Sequence, residues 1–399
     1  MKKLFSFLLP ALSAGTLSAQ WTPVSTAMSG KLETVVFTSP SDGFAAGSFQ
    51  YMYKTVDGGS TWLSAGSYDA KDIYFFDANH GYAAGVAGTG TMKSTTNGGS
   101  SWTTLTPPNS SSIWGTFATS ASTCYFIATD KKVHKSTNSG GSFTSVTLSI
   151  TFSPTDIWFT DANTGFITTQ DGIIFKTTNA GGSWSNSFSV SGVQLNSIYF
   201  VNTNLGFACG TNGAVLKTTN GGTSWTALVT GTTSPLNCVR FYDALNGLAV
   251  GYGGTIIRTA DGGTTWTSDN SNTTRWLYSI SYTSSAAAAV IVGDSGTVLK
   301  NTNIPIGISE PAASLSSINC FPNPANGYIS VSFRATKTAD ISPVIYDLDG
   351  RAVKSFSAFT ASPGDNDIRL DVADLSPGAY LVRLDADDQP AFRKILITR

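Results

Sequence analysis

Two sets of residues in this chain have types and spacings that could do chemistry. Hydrolysis of a glycosidic bond needs two carboxylates about 5 to 9.5 Å apart, one with a raised pKa. Asp69, Asp72, Asp156 and Asp269 are the acids nearest the connections between periodic segments. A lone aspartate in a polar connection is more often a turn former or a solvated charge, so no catalytic residue is assigned. Recognition asks for less, an aromatic face beside a cation, and Arg275, Trp276 and Tyr278 provide that within four residues. They are the ligand-contact candidates, with core packing as the alternative explanation. The four cysteines, Cys124, Cys209, Cys238 and Cys320, form no CxxC pair and have only His80 and His134 for company, so neither a metal nor another cofactor is expected. Cys209 and Cys238, on neighbouring repeats, are the best pair for a disulfide, although buried free thiols are the preferred reading.

The elements that would carry these residues are announced by repetition. Six turns share one pattern, Asp57 to Trp62, Asn97 to Trp102, Asn138 to Phe143, Asn179 to Trp184, Asn220 to Trp225 and Asp261 to Trp266, and their aromatics fall 40 or 41 residues apart. That is the period of a four-stranded propeller blade. Between the turns runs an apolar residue, a variable one and Phe, as in Ile73-Tyr74-Phe75 or Val239-Arg240-Phe241, followed by a Gly and another large apolar residue. These are the innermost and second strands. A third strand ends in a basic residue, Lys54, Lys93, Lys135, Lys176, Lys217, Arg258 or Lys300, whose aliphatic stem is expected to cover a neighbouring blade's Trp while its head meets solvent or the turn. The seventh repeat lacks its outer strand, and Trp21 stands 41 residues before Trp62. Trp21 to Val24 should therefore complete that blade and close the ring, leaving no open edge. The fold class is all-β: a seven-bladed β-propeller, then a small Ig-like β-sandwich.

Thr55-x-Asp57-x-Gly59-x-Thr61-Trp62 resembles the Asp-box, the repeat of sialidases and other bacterial-neuraminidase-repeat proteins. The wider repeat, with its Gly-x-Val-Leu-Lys-Thr-Thr-Asn-Gly-Gly-x-Ser-Trp run, is similar to the photosystem II stability and assembly factor family. The resemblance implies that the Asp-box is a folding device. Sialidases grip their substrate with three arginines, and this propeller has only Arg240, Arg258 and Arg275. Xyloglucanases with Asp-boxes place the glycan between two propellers, whereas one is expected here. Photosynthetic members of the assembly-factor family have an arginine-rich patch that this chain lacks.

The ends set the cellular context. Residues 1–19 have the charged, apolar and small-residue regions of a signal peptide, too short to span a bilayer permanently. The propeller is expected over 20–303 and a Pro/Ser/Gly/Ala-rich linker over 304–319. In 320–399, Phe321-Pro322-Asn323-Pro324, Tyr346 to Arg351, Leu375 to Arg383 and Lys394 to Ile397 resemble the type A sorting domain of the type IX (Por) secretion system. That resemblance implies the export machinery as a partner and a secreted or cell-surface location. Asp347-x-Asp349-Gly350 is read as a hairpin turn, since the other ligand positions of a calcium loop are absent. Charged residues make up only 12% of the chain and the net charge is −1, which removes the basic field that nucleic acid requires. The expected function is a non-catalytic binding module for an extracellular protein or glycan, with the connections Leu63 to Asp72, Thr103 to Ser112 and Thr267 to Ser279 at its binding mouth. The alternative is a glycoside hydrolase of sialidase-like or xyloglucanase-like type.

Overall fold

The computed structural model describes residues 21–302 and 315–398, apart from 27, 48–51, 67, 86–90, 107, 109–110, 284–287, 336–337, 348–351 and 387–388. The signal segment, most of the linker and the Asp349-Gly350 turn lie outside the described residues. The propeller and the C-terminal residues form two compact units.

Seven four-stranded antiparallel sheets make the first unit. Blade 5 is typical, with an inner strand Leu195–Phe200, a second strand Gly206–Gly210, a third Val215–Thr218 and an outer Thr226–Leu228. The Gly that opens the second strand is required by contact, because a Cβ on Gly206 would lie 2.6 Å from the ring of Phe200. The same ring stacks on Phe166 of blade 4 (4.3 Å) and meets Trp225 edge-on (5.8 Å). Such aromatic stacks recur at the seams, the tightest being Phe207 on Phe241 at 3.7 Å, and they supply orientation as well as buried area.

The Asp-box works as a closed hydrogen-bond set. In the first, Thr55 Oγ1 accepts the Gly59 N–H (2.9 Å) and donates to Asp57 Oδ1 (2.8 Å). Asp57 Oδ1 accepts the N–H groups of Ser60 and Thr61, both at 2.9 Å, and Thr61 Oγ1 donates to Oδ2 at 2.6 Å. These donors hold the Asp57 carboxyl down at about 2. The two following glycines, Gly58 and Gly59, take φ of 67° and 82°, which only Gly adopts cheaply. The third-strand lysines then tie one blade to the next. Lys135, Lys176 and Lys217 donate to Ala180, Gly221 and Gly262 carbonyls in the following blade's turn at 2.7 to 2.8 Å. Their ammonium groups lie 5.5 to 5.7 Å from the rings of Tyr125, Phe166 and Phe207 of their own blades. The next blade's Asp-box glycine packs close to the same ring, a Cβ on Gly181 or Gly222 falling 3.0 or 2.3 Å from Tyr125 or Phe166.

Ring closure uses the first described residues. Thr22 and Pro23 pair with Lys300 and Leu299 as the fourth strand of blade 7. Trp21 is 0% exposed, and its Nε1 donates to Asp269 Oδ2 at 3.4 Å. Arg258 meets the same carboxylate at 3.3 Å. Asp269 is therefore part of the closing seam. Cys124, Cys209 and Cys238 are buried free thiols, and burial pushes the Cys209 and Cys238 thiols up.

The C-terminal unit has eight strands over one core that includes Ile329, Val331, Ile341, Ile345, Val382 and Ile395. Its first strand, Leu315–Asn326, starts inside the segment read as linker, because Leu315 and Ile318 are buried in that core. The strand pairs antiparallel with Tyr328–Ala335 and, through Ala325, parallel with Ile397.

Candidate functional site

The inner strand is the edge of every blade, and its outward backbone groups cannot pair with another strand across the ring axis. Side chains of adjacent blades satisfy them instead. Asp72 Oδ2 accepts the Thr116 N–H at 2.8 Å, and Asp156 Oδ2 accepts the Ile198 N–H at 2.9 Å. Ser279 and Ser281 do the same for Val35 and Phe37. Asp72 and Asp156 were expected as turn formers or solvated charges; they are in fact inner-strand residues facing an axial cavity.

Three rings of side chains line that cavity. The position just before the backbone-binding residues carries Glu33, Lys71, Trp114, Thr155, Asn196, Asn237 and Tyr278 in blades 1 to 7, and all seven line one mouth. In blades 3 to 7 the strand register skips a residue here, and such a bulge re-aims a side chain. The second ring includes Thr34, Asp72, Asp156, Ser197 and Ser279. The third is the variable residue of the apolar-x-Phe motif, Val36, Tyr74, Phe117, Trp158, Tyr199, Arg240 and Ser281. The outer chamber holds about 240 Å³ and the inner about 300 Å³.

The inner chamber has an aromatic arc, with Tyr74 and Phe117 at 4.1 Å, Phe117 and Trp158 at 5.1 Å, and Trp158 and Tyr199 at 4.8 Å. Arg240 ends the arc, 5.6 Å from Tyr199, with Nη1 donating to Ser197 at 3.0 Å. Burial and the neighbouring Asp156 charge push Asp72 up to about 6. Asp156 is raised as well, by burial, against the pull of Arg240 and its backbone donors. Both residues keep some exposed surface and line the axial cavity. At the mouth, Lys31 and Lys71 share Glu33, at 2.6 and 3.5 Å. Lys31 lies over Tyr278 and Lys71 over Trp114.

The residues singled out from sequence separate here. Tyr278 lines the mouth, and burial raises its phenol pKa. Trp276, 42% exposed, stacks on Tyr252, another lining residue, at 3.8 Å. Arg275 is exposed and outside the lining. The three arginines do not converge, since Arg240 is axial, Arg258 sits in the closing seam and Arg275 is on the surface. Asp69 is likewise outside the channel lining. The Asp-box residues lie away from the axis. Glu33, Lys71, Trp114, Asn196 and Asn237 were not foreseen, although one signal was present: a position that varies freely inside an otherwise constant repeat. Among the described residues no cluster could hold a metal ion, and no helix is long and apolar enough to cross a membrane.

Residues 65–194 match the model of the photosynthesis system II assembly factor YCF48 family, and residues 319–398 match that of the secretion system C-terminal sorting domain. No curated protein sequence matches significantly. A solved structure of YCF48 bound to D1 peptide is similar over 73% of this chain and 100% of its own, at 17% identity and a TM-score of 0.60. YCF48 from Cyanidioschyzon merolae gives 71% and 98%, 18% identity and 0.60. The Niastella koreensis GH74 enzyme gives 95% and 74%, 12% identity and 0.61. At these identities the solved structures speak for the fold alone. The sorting domain indicates export by the type IX system, to the cell surface or outside. The chain is thus a seven-bladed Asp-box propeller resembling the photosystem II assembly factor family, joined to a type IX secretion sorting domain.

Proposed function

We propose that this is a non-catalytic recognition propeller, exported through a signal peptide and residues 320–399, which binds an extracellular protein or glycan at its axial mouth. The observation that carries the reading is the mouth ring. One structural position holds Glu33, Lys71, Trp114, Thr155, Asn196, Asn237 and Tyr278 while the framework around it repeats. A scaffold position under packing constraint repeats with the fold; a position that differs in every functional group but one fits a surface tuned to a ligand. Tyr278 and the Tyr252–Trp276 stack add the aromatic contacts that recognition uses. YCF48 bound to D1 peptide offers a precedent for a single propeller of this architecture working by binding.

A second reading, glycoside hydrolysis, is favoured by the elevated Asp72 beside Asp156 and by the likeness to a GH74 enzyme. Against it, both oxygens of Asp156 already accept backbone N–H groups, from Ile157 and Ile198, which suits a fixed structural acceptor better than a nucleophile or base. Incubating the purified mature chain with sialylated, xyloglucan and other glycans, while measuring both retention and released reducing ends, separates the two. Binding predicts retention without turnover, and turnover abolished by Asp72→Asn would overturn it.

A further inference from the structure

The binding reading above leaves the ligand class open, and the chemistry of the outer chamber narrows it. Its charges cancel in kind, Lys31, Lys71 and Arg240 against Glu33, Asp72 and Asp156. The two lysines are already committed to Glu33 and to ring faces. An ionic ligand head therefore meets no net field of either sign and would have to break an internal contact to be paired. An apolar head would desolvate a wall that is mostly polar.

What the wall does offer is fixed, short-range hydrogen bonding. Asn196 and Asn237 each anchor their amide nitrogen on the next blade's backbone, at Leu236 O and Leu277 O, both 2.8 Å. Their orientation is thereby set, and each Oδ1 has no hydrogen-bond partner in the described protein. Thr155 is anchored in the same way, on Leu195 O at 2.6 Å. Trp114 and Tyr278 add flat faces on either side of the lysine–glutamate bridge. Fixed amide acceptors that take hydrogen bonds from several hydroxyls at once, beside rings that offer apolar surface to C–H groups, suit a pyranose better than any peptide side chain, which brings one functional head.

From this we infer that the outer chamber is a lectin-type site for an uncharged hexose unit, entering end-on as the terminus of a glycan. End-on entry follows from geometry: the site lies on the ring axis and is walled by residues of all seven blades, so a chain reaches it along the axis.

The test uses the full mature chain. It would be titrated with methyl glycosides and disaccharides of neutral hexoses, with N-acetylneuraminic acid, with glucosamine and with a blocked hexapeptide, read by calorimetry and by tryptophan fluorescence. The inference expects neutral sugars to bind at least tenfold more tightly than either charged sugar. It also expects the Asn196→Ala/Asn237→Ala variant to lose at least tenfold in affinity at an unchanged melting temperature. If that variant is destabilised, Glu33→Gln takes its place and should weaken the same ligands. Failure of every neutral sugar to bind, or neutral binding that survives both variants, overturns the assignment. Binding of the peptide or of a protein alone, lost on the same variants, would overturn the sugar assignment yet leave recognition at the mouth standing. Ligands that bind but ignore both variants would sink the two together.

Discussion

At the residue scale the deciding groups are Asp72 and Asp156, which look like ordinary polar-loop acids in the sequence and are axial in the structure. Nothing in their local sequence announces this, because their hydrogen-bond partners lie on the next blade and, for Asp156, the residue before it sits in a bulge that is set by tertiary pairing rather than propensity. The Asn97 or Asp261 type of residue was legible for the opposite reason, its partners being within four positions along the chain. The raised Asp72 has a measurable consequence. A carboxyl whose folded pKa lies above its unfolded value holds its proton more tightly when folded, so stability declines as pH rises from about 4 to about 6 and is flat above that. Asp72→Asn keeps an acceptor for the Thr116 N–H and removes the charge. It should raise stability at pH 8 by on the order of 1 to 3 kcal/mol relative to the wild type, with little gain at pH 4. Denaturant melts at the two pH values check this, and an equal effect at both would contradict it.

At the element scale, the blade is held by contacts that can be removed singly. Gly206→Ala would drive a Cβ into the Phe200 ring and should cost about 1 to 3 kcal/mol. Adding Phe200→Leu should recover part of that loss, a non-additivity that a double-mutant cycle measures. Thr218→Ala removes the acceptor for the Gly222 and Asn220 N–H groups and should cost about 1 to 2 kcal/mol, read in the same melts. The repeat motif made the strand order and the period legible, since each blade's signal is local. It left the inner-strand hydrogen bonding dark, because those partners come from the adjacent blade some 40 residues away. The carbonyls that Lys135, Lys176 and Lys217 reach were dark for the same reason, each lying 45 residues on in the following blade.

At the scale of the whole molecule, closure joins residues at opposite ends of the propeller. Trp21 is fully buried against a core containing Cys238, Leu248 and Leu277, so Trp21→Ala should cost about 3 to 5 kcal/mol. Deleting Trp21 to Val24 should cost at least as much, by opening an edge on blade 7, and an unchanged melting temperature would contradict ring closure. That closure was legible because the 41-residue period extends back to the start of the propeller. The tail was legible as a set of short landmarks, and removing 319–398 should leave a folded propeller in the periplasm of a type IX secreting host. Its appearance in the medium at the normal level would count against the export role.

The central claim is that function resides at the axial mouth and not on the outer edges of the blades. The most direct measurement is retention of the mature chain on immobilised glycans and extracellular proteins, run in parallel for the wild type, a mouth variant Trp114→Ala/Tyr278→Ala, and an outer-edge variant Leu63→Ala/Val229→Ala that trims two exposed side chains. The account predicts that the mouth variant loses retention and the outer-edge variant keeps it. Retention that survives at the mouth and disappears with Leu63 and Val229 would contradict it.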